Sequence, residues 1–311
     1  MAEFDDHRDH LVAVAYRMLG SRTDAEDAVQ DAWLRYASAD RDEIRDLRAW
    51  LTTTTARICL DVLRSARVRR EAHPSPWLPE PIVTRPDESS VDPGEHAVRR
   101  EEVGYALLVV MERLTPEQRV AFVLHDVFAV PFDDIASVLG TSAEAARQLA
   151  SRGRRAVTDG GRRHNSDHRE QRRVLDAFVA AAEHGDLDGL LAVLAPDVVA
   201  IGDGGGAAAA GRHPVTGALQ VARFMAGLFR RAAKEASSIL AEPVLVNGDL
   251  GMLLEVTFPG GFQRLVMSFA IADGRITGIF DQVDPAKLTR VPPVDPARAK
   301  SWRLTPPAEP R

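Results

Sequence analysis

The chain has 311 residues, 45% of them hydrophobic, which is enough to bury more than one core and points to two or three domains. One cysteine, Cys59, excludes an internal disulfide framework and a zinc cluster built on cysteine pairs, and fits a reducing cytoplasm. A formal charge of −6 excludes a protein that holds duplex DNA by bulk electrostatics alone, although arginines gather in "RSARVRR" (64–70) and "RQLASRGRR" (147–155).

The first 70 residues read as helices. "HLVAVAYRMLG" is apolar at helical spacing and closes on Gly20 in the position of a C-cap. "TDAE" offers a capping box from Thr23 to Glu26. In the helix that follows, Ala28, Val29, Ala32, Trp33 and Tyr36 share one face, while Asp27, Asp31 and Leu34 share the opposite one. A third helix, over about 47 to 67, should bury Leu51, Thr54, Ile58 and Val62 and present Trp50, Thr53, Arg57, Asp61 and Arg64.

From 73 to 92 the chain is dense in proline and cannot continue a helix, so it forms a linker. Within it "WLPEP" (77–81) holds a Trp and a Leu in a stiff, extended backbone. It is either a docking peptide or a tether with one stray aromatic. Residues 95 to 157 read as helical again, with Thr115, Pro116 and Gln118 of "TPEQ" forming a capping box. A helix over 132 to 139, a stop at Gly140 and a new box from Thr141 to Glu144 make a helix-turn-helix. Its second helix has an inner face of Ala145, Ala146, Leu149, Gly153 and Ala156. Over 142 to 156 it carries four arginines against one glutamate, with Gln and Ser interspersed, as readers of base edges and phosphates do. A helical hairpin with a solvated basic face is the alternative.

After a polar joint the pattern changes to the order ααβαββββ, with a helix over 215 to 231 and hairpin signals at "NGD", "PGG" and "DG". That order implies an α+β cone, an antiparallel sheet with helices on one side. Between its first strand and third helix stands "DGGGAAAAG" (203–211), whose glycines would let a peptide approach bare backbone or would simply form an open loop. The proline-rich tail from 291 to 311 is expected to be disordered. No run approaches the roughly 20 apolar residues of a membrane span, and the N-terminus lacks a signal-peptide core, so the expected location is cytoplasmic with no membrane partner.

"DAEDAVQDAWLR", "LRAWLTTTTARICLDVLR" and the segment from "LTPEQRVAF" to "SRGRRAV" stand in the order and spacing of one family. Residues 1–160 resemble an extracytoplasmic-function (ECF) sigma factor of bacterial RNA polymerase. Residues 169–290 resemble a SnoaL-like, NTF2-type domain, and the fusion is similar to a subgroup of these sigma factors that carries WLPEP in the linker and DGGG in the extra domain. The chain departs from that pattern at Ala207, where a lysine is common, and at "DPAKL" (284–288), in place of an Asn-Pro-Asp-Lys-Leu motif.

The resemblance implies a multi-domain chain: sigma region 2 over 1–72, a linker over 73–94, region 4 over 95–160 and the cone over 168–290. It implies that Asp27, Asp31 and Leu34 dock on the β′ clamp of core polymerase and that region 4 meets the β flap. Trp50, Thr53, Arg57 and Arg64 would meet the −10 element of promoter DNA, and Arg147, Gln148, Ser151 and Arg152 would read the −35 duplex. Trp77, Leu78, Pro79, Glu80 and Pro81 would work with Asp203, Gly204, Gly205 and Gly206 as a regulatory contact between domains. No cofactor, metal or catalytic residue is implied. Two alternatives remain: a ligand-responsive helix-turn-helix regulator, and a cone with acid/base chemistry from Asp203, His213 and Asp281. An unidentified small ligand in the cone stays open.

Overall fold

The computed structural model describes residues 2–72, 76–85, 104–160, 167–206, 211 and 213–301. They fall into two compact units. The first holds 2–72 and 107–160, and the second holds 76–85, 104–106 and 167–301. Among the described residues no helix is long and apolar enough to cross a membrane.

The first unit is helical throughout. Helix α1 (Ala2–Leu19) stops where Gly20 turns left-handed and returns its amide to the Tyr16 carbonyl at 2.7 Å. Helix α2 (Arg22–Ser38) is capped by Ser21, whose hydroxyl accepts from the Asp24 amide, rather than by the expected Thr23. Two serine or threonine hydroxyls compete there, and the one just after the glycine stop is in the extended conformation a cap requires. Helix α3 (Leu47–Ala72) buries Leu51, Thr54 and Ile58 as expected, but Val62 is only half-buried. The three helices close on Leu11, Val14, Met18, Ala28, Ala32 and Leu60.

Helices α4 (Tyr105–Met111) and α5 (Pro116–Phe122) follow, the second opened by the full Thr115–Gln118 capping box and prolonged by a π turn over Val123–Val127. Helix α6 (Phe132–Leu139) ends on left-handed Gly140, and α7 (Ala143–Gly160) starts under a cap from Ser142, not Thr141. Gly153 lets α7 approach α5 closely, because a Cβ there would stand 3.0 Å from the Gln118 carbonyl oxygen. Ala156, expected on the same inner face, is exposed, since three further residues bring a helix just short of a full turn and off the stripe.

The two helical modules pack as one unit. Arg17 is buried with its guanidinium 5.2 Å from the Phe128 ring centre, and His10 meets the same ring edge-on at 5.4 Å.

The second unit is an α+β cone. Helices α8 (His168–Glu183), α9 (Leu187–Val193) and α10 (Ala218–Glu235) bury Phe178, Leu190, Val221 and Met225 in a core shared with the sheet. The strands are β1 (Val83–Thr84), β2 (Leu194–Asp203), β3 (Val215–Thr216), β4 (Ser238–Val246), β5 (Asp249–Phe258), β6 (Gly261–Ala272), β7 (Arg275–Gln282) and β8 (Lys300–Ser301). Their order is β1-β4-β5-β6-β7-β2-β3, with β8 also on β4. All pairings are antiparallel except β2 with β7.

Three expectations are corrected here. Val215 and Thr216 form a short strand against β2, and the helix begins only after Gly217, because β-branched residues beside a neighbouring strand favour pairing over a first helical turn. The linker's described part belongs to the cone, with β1 adding to the β4 edge. The tail from 291 is ordered through Ser301: Val291 and Val294 are buried, and the Asp295 amide donates to Glu242. Residues 73–75, 86–94, 207–210 and 302–311 of the expected linker, alanine run and tail lie outside the described residues.

His10 generates a test of the first unit. Burial, with help from Arg48, His7 and Arg17, pushes its pKa from 6.5 down to about 4, so the folded unit holds it neutral. Between those values the unfolded chain binds more protons, and stability therefore rises with pH. Thermal melts are expected to show the helical unit losing stability as pH falls from 6.5 towards 4, and His10→Gln should flatten that slope.

Candidate functional site

Strands β2 and β7 run parallel with Asp203 opposite Gln282, so two polar side chains stand together at the ends of both strands. Asp203 is buried. A buried carboxylate needs a cation and hydrogen-bond donors, and it receives both. Lys287 Nζ lies 2.6 Å from Asp203 Oδ2, the Leu78 amide donates to the same oxygen at 2.8 Å, and the Gly205 amide donates to Oδ1 at 2.9 Å. Burial alone would raise the Asp203 pKa. The ammonium and the two amides outweigh it and hold the carboxyl below its ordinary range.

The bound peptide is WLPEP. Leu78 is fully buried, and its carbonyl accepts from Lys287 Nζ at 2.8 Å and from Gln282 Nε2 at 3.2 Å. The Pro79 carbonyl accepts from the Tyr105 hydroxyl at 2.7 Å and from Gln282 at 3.3 Å. Trp77 is half-buried with its ring centre 4.1 Å from Lys287 Nζ, a cation–π contact. Glu80 and Pro81 are buried, and beyond them Ile82 exchanges hydrogen bonds with Asn247 before β1 joins the sheet.

Side chains, not bare glycine amides, hold the linker. The Gly205 amide is turned inward to Asp203, and Gly205 and Gly206 are exposed at φ 58° and 77°. The glycine requirement is local: a Cβ on Gly205 would fall 2.3 Å from the Asp284 carboxylate, which caps the turn over Pro285–Leu288. Gln282, Lys287, Tyr105 and Asn247 escaped sequence reasoning. "DPAKL" was the signal for Lys287; nothing local marked the other three.

The helical sites lie elsewhere. Asp27 and Asp31 are exposed on α2, and Leu34 keeps 57% of its surface in solvent. On α3, Trp50 is half-buried 6.1 Å from the Tyr36 ring, and Thr53 is half-buried. Arg57 donates to Ser137 O and Oγ at 3.0 and 2.8 Å, and Arg64 pairs with Glu117 at 3.0 Å, so the second helical module engages both arginines. On α7, Arg147, Gln148 and Arg152 are exposed and Ser151 is half-buried; Arg147 pairs with Glu144 at 2.9 Å and lies over Phe132.

Asp203, His213 and Asp281 do not form one acid/base site. Asp203 is committed to the linker, His213 is exposed, and only Asp281 lines the cavity of the cone.

A helical unit with an exposed acidic helix, an arginine-bearing helix and a helix-turn-helix, followed by a cone that grips the linker, is the architecture of a two-module sigma factor with a fused α+β domain. The chain matches Sigma-70 region 2 over residues 4–69, Sigma-70 region 4 over 105–157 and the SnoaL-like domain over 175–279. It is 44% identical over 301 residues to the ECF RNA polymerase sigma factor SigJ of Mycobacterium tuberculosis, covering 94% of each chain. It is 36% identical to the probable ECF RNA polymerase sigma factor SigI of the same organism, again over 94% of each. The crystal structure of M. tuberculosis SigJ superposes with a TM-score of 0.74 at 40% identity, over 93% of this chain and 98% of that one. The chain belongs to the ECF RNA polymerase sigma factors, which direct transcription initiation and are not enzymes.

Two variants test the linker contact. Leu78→Ala empties a fully buried site and should destabilise the cone by about 2–5 kcal/mol in denaturant unfolding of the full chain. Because the folded Asp203 pKa lies below the ordinary aspartate value of 3.8, its stabilisation is complete above 3.8 and lost as pH falls through the lower folded value. Lys287→Met should move that acid loss to higher pH, read as a raised midpoint of acid unfolding.

Proposed function

We propose that this sigma factor is regulated in cis by the grip of its cone on the linker. The observation that carries the reading is the burial of Leu78 with its amide on Asp203 and its carbonyl on Lys287 and Gln282. The linker joins α3 to α4, so whatever holds it constrains the path between the two sigma modules. A contact within one chain enjoys a high effective concentration and needs little intrinsic strength to be populated.

In this reading Asp27, Asp31 and Leu34 dock on the β′ clamp, and region 4 meets the β flap, while α7 presents Arg147, Gln148, Ser151 and Arg152 to the −35 major groove. Trp50, Thr53, Arg57 and Arg64 take the −10 strand after Arg57 and Arg64 exchange their present partners for nucleic acid. That exchange is cheap for Arg64, since exposed ion pairs contribute about 0–1 kcal/mol. The protein would act in the cytoplasm, with core polymerase and promoter DNA as partners.

Run-off transcription with core polymerase tests the regulation. Trp77→Ala and Lys287→Ala should each change promoter-dependent output, and the double variant should fall short of the product of the two effects because one contact is removed twice. Independent, multiplicative effects would overturn the reading. Charge reversal at Asp27 and Asp31 should weaken binding to core polymerase with helical content intact. Alanine at Arg147 or Gln148 should cost roughly 1–3 kcal/mol on the preferred −35 sequence and relax preference at one base pair.

A further inference from the structure

The outer face of α10 is basic. Arg223, Arg230, Arg231 and Lys234 are exposed along this helix against a single acid, Glu235, in a chain whose formal charge is −6. Glu235 accounts for Arg231, which pairs with it at 2.9 Å. Among the described residues the side chains of Arg223, Arg230 and Lys234 have no ion pair or hydrogen bond. Several exposed arginines elsewhere are answered by an acid, as Arg64 is by Glu117, Arg147 by Glu144 and Arg154 by Asp126. The three unpaired cations are spaced by two turns and then by one, so they line one side of the helix. They run over about 16 Å, a length over which one strand of duplex DNA presents about five phosphates.

Gly227 stands between them, inside the helix and on the same side, where an added Cβ would meet nothing within 4 Å. A glycine there weakens the helix, and no neighbour among the described residues requires it. It leaves a low, uncharged saddle between two cations, across which another backbone can come close. The other side of α10 is committed to the core through Val221, Ala222, Met225 and Phe229, so its apolar stripe is not available to a membrane. α10 packs on α8 through Phe229 and Phe178, whose ring centres lie 6.2 Å apart. α8 begins at His168, eight residues after α7 ends at Gly160, so the chain between them reaches at most about 28 Å, less than one helical turn of DNA. Duplex held on α7 is therefore within reach of the cone.

We propose that the outer face of α10 docks on the sugar-phosphate backbone of promoter DNA, with Arg223, Arg230 and Lys234 each neutralising a phosphate and Gly227 admitting the strand between them. The placement beside the −35 duplex rests on the reading of α7 above, and the affinity for phosphate does not. Contacts of this kind carry no base preference, so the cone adds hold and orientation to a promoter that α7 selects. An acidic protein surface would satisfy the same charges, and the test separates the two.

The full-length chain is titrated into a labelled duplex of mixed sequence, about four helical turns long, and binding is read by fluorescence anisotropy from about 50 to 200 mM salt. Each phosphate contact contributes about 0.9 to the slope of log affinity on log salt. The triple variant Arg223→Gln/Arg230→Gln/Lys234→Gln should therefore lose about 40-fold less affinity over that range than the unaltered chain. Glutamine keeps the helix propensity, so its thermal melt should be unchanged. Arg223→Lys with Arg230→Lys should keep the full slope, because a point charge serves a phosphate contact. Gly227→Leu should raise the melting temperature and still weaken binding, because its side chain fills the saddle. An unaltered slope in the glutamine variant would overturn the proposal, and a loss of affinity for core polymerase in its place would assign the face to an acidic protein. Failure of the Arg147 and Gln148 test on the preferred −35 sequence would remove the placement beside that duplex and leave the phosphate surface to be judged by its own slope.

Discussion

A carboxylate at the end of a strand, taken out of water, sets the terms for the cone. Asp203 stays ionised because Lys287 and the amides of Leu78 and Gly205 surround it, and one of those donors comes from the linker. The linker is therefore not an optional passenger on the fold. Removing it would leave a buried ion pair short of a donor, a condition that low-dielectric surroundings penalise more than the absence of the whole network would. The same lysine presents its charge to the Trp77 ring and its proton to the Leu78 carbonyl, so one side chain connects the anion, the peptide backbone and the aromatic anchor.

The helical unit follows a different economy. Its contacts between modules include the exposed pair Arg64–Glu117 and the bonds from Arg57 to Ser137, on surfaces that water can re-solvate when partners are exchanged. Other contacts, such as Arg17 against Phe128, are buried and resist opening. The unit thus combines a packed seam that gives the free chain one shape with polar contacts that stay open to water.

The cone adds a cavity that packing alone does not explain. A domain of this kind could fill its interior with side chains, as most do to near-crystalline density. Here apolar walls and Asp281 remain, on the strand that also presents Gln282 to the linker. The pleat of β7 separates the cavity-lining Asp281 from the linker-bonding Gln282 by a single residue.

Local chemistry was legible in the sequence wherever neighbours along the chain decide the outcome. The stop at Gly20, the Thr115–Gln118 box, the Gly140 turn and the exposed row Asp27, Asp31 and Leu34 depend on helical periodicity and capping, which act within four residues. Where two hydroxyls competed, as for Ser21 with Thr23 and Ser142 with Thr141, the pattern located the helix start to within two residues and no better. WLPEP betrayed a partner because an apolar, proline-stiffened peptide has no reason to stay in water. Its receptor was legible only in part: Asp203 belongs to it, accepting from the Leu78 amide, but the glycines drew attention, whereas Gln282, Lys287 and Tyr105 do the rest of the holding. Those residues lie 26 to 209 positions from the linker residues they bond, and only the parallel pairing of β2 with β7 and the turn after β7 bring most of them to one place. The sequence by itself determined which helices form, which faces they bury and that the linker seeks a surface. Tertiary structure alone decided which groups make that surface and that Asp281 faces a cavity, because burial and pairing between distant strands, not spacing along the chain, set the environment of a charged group.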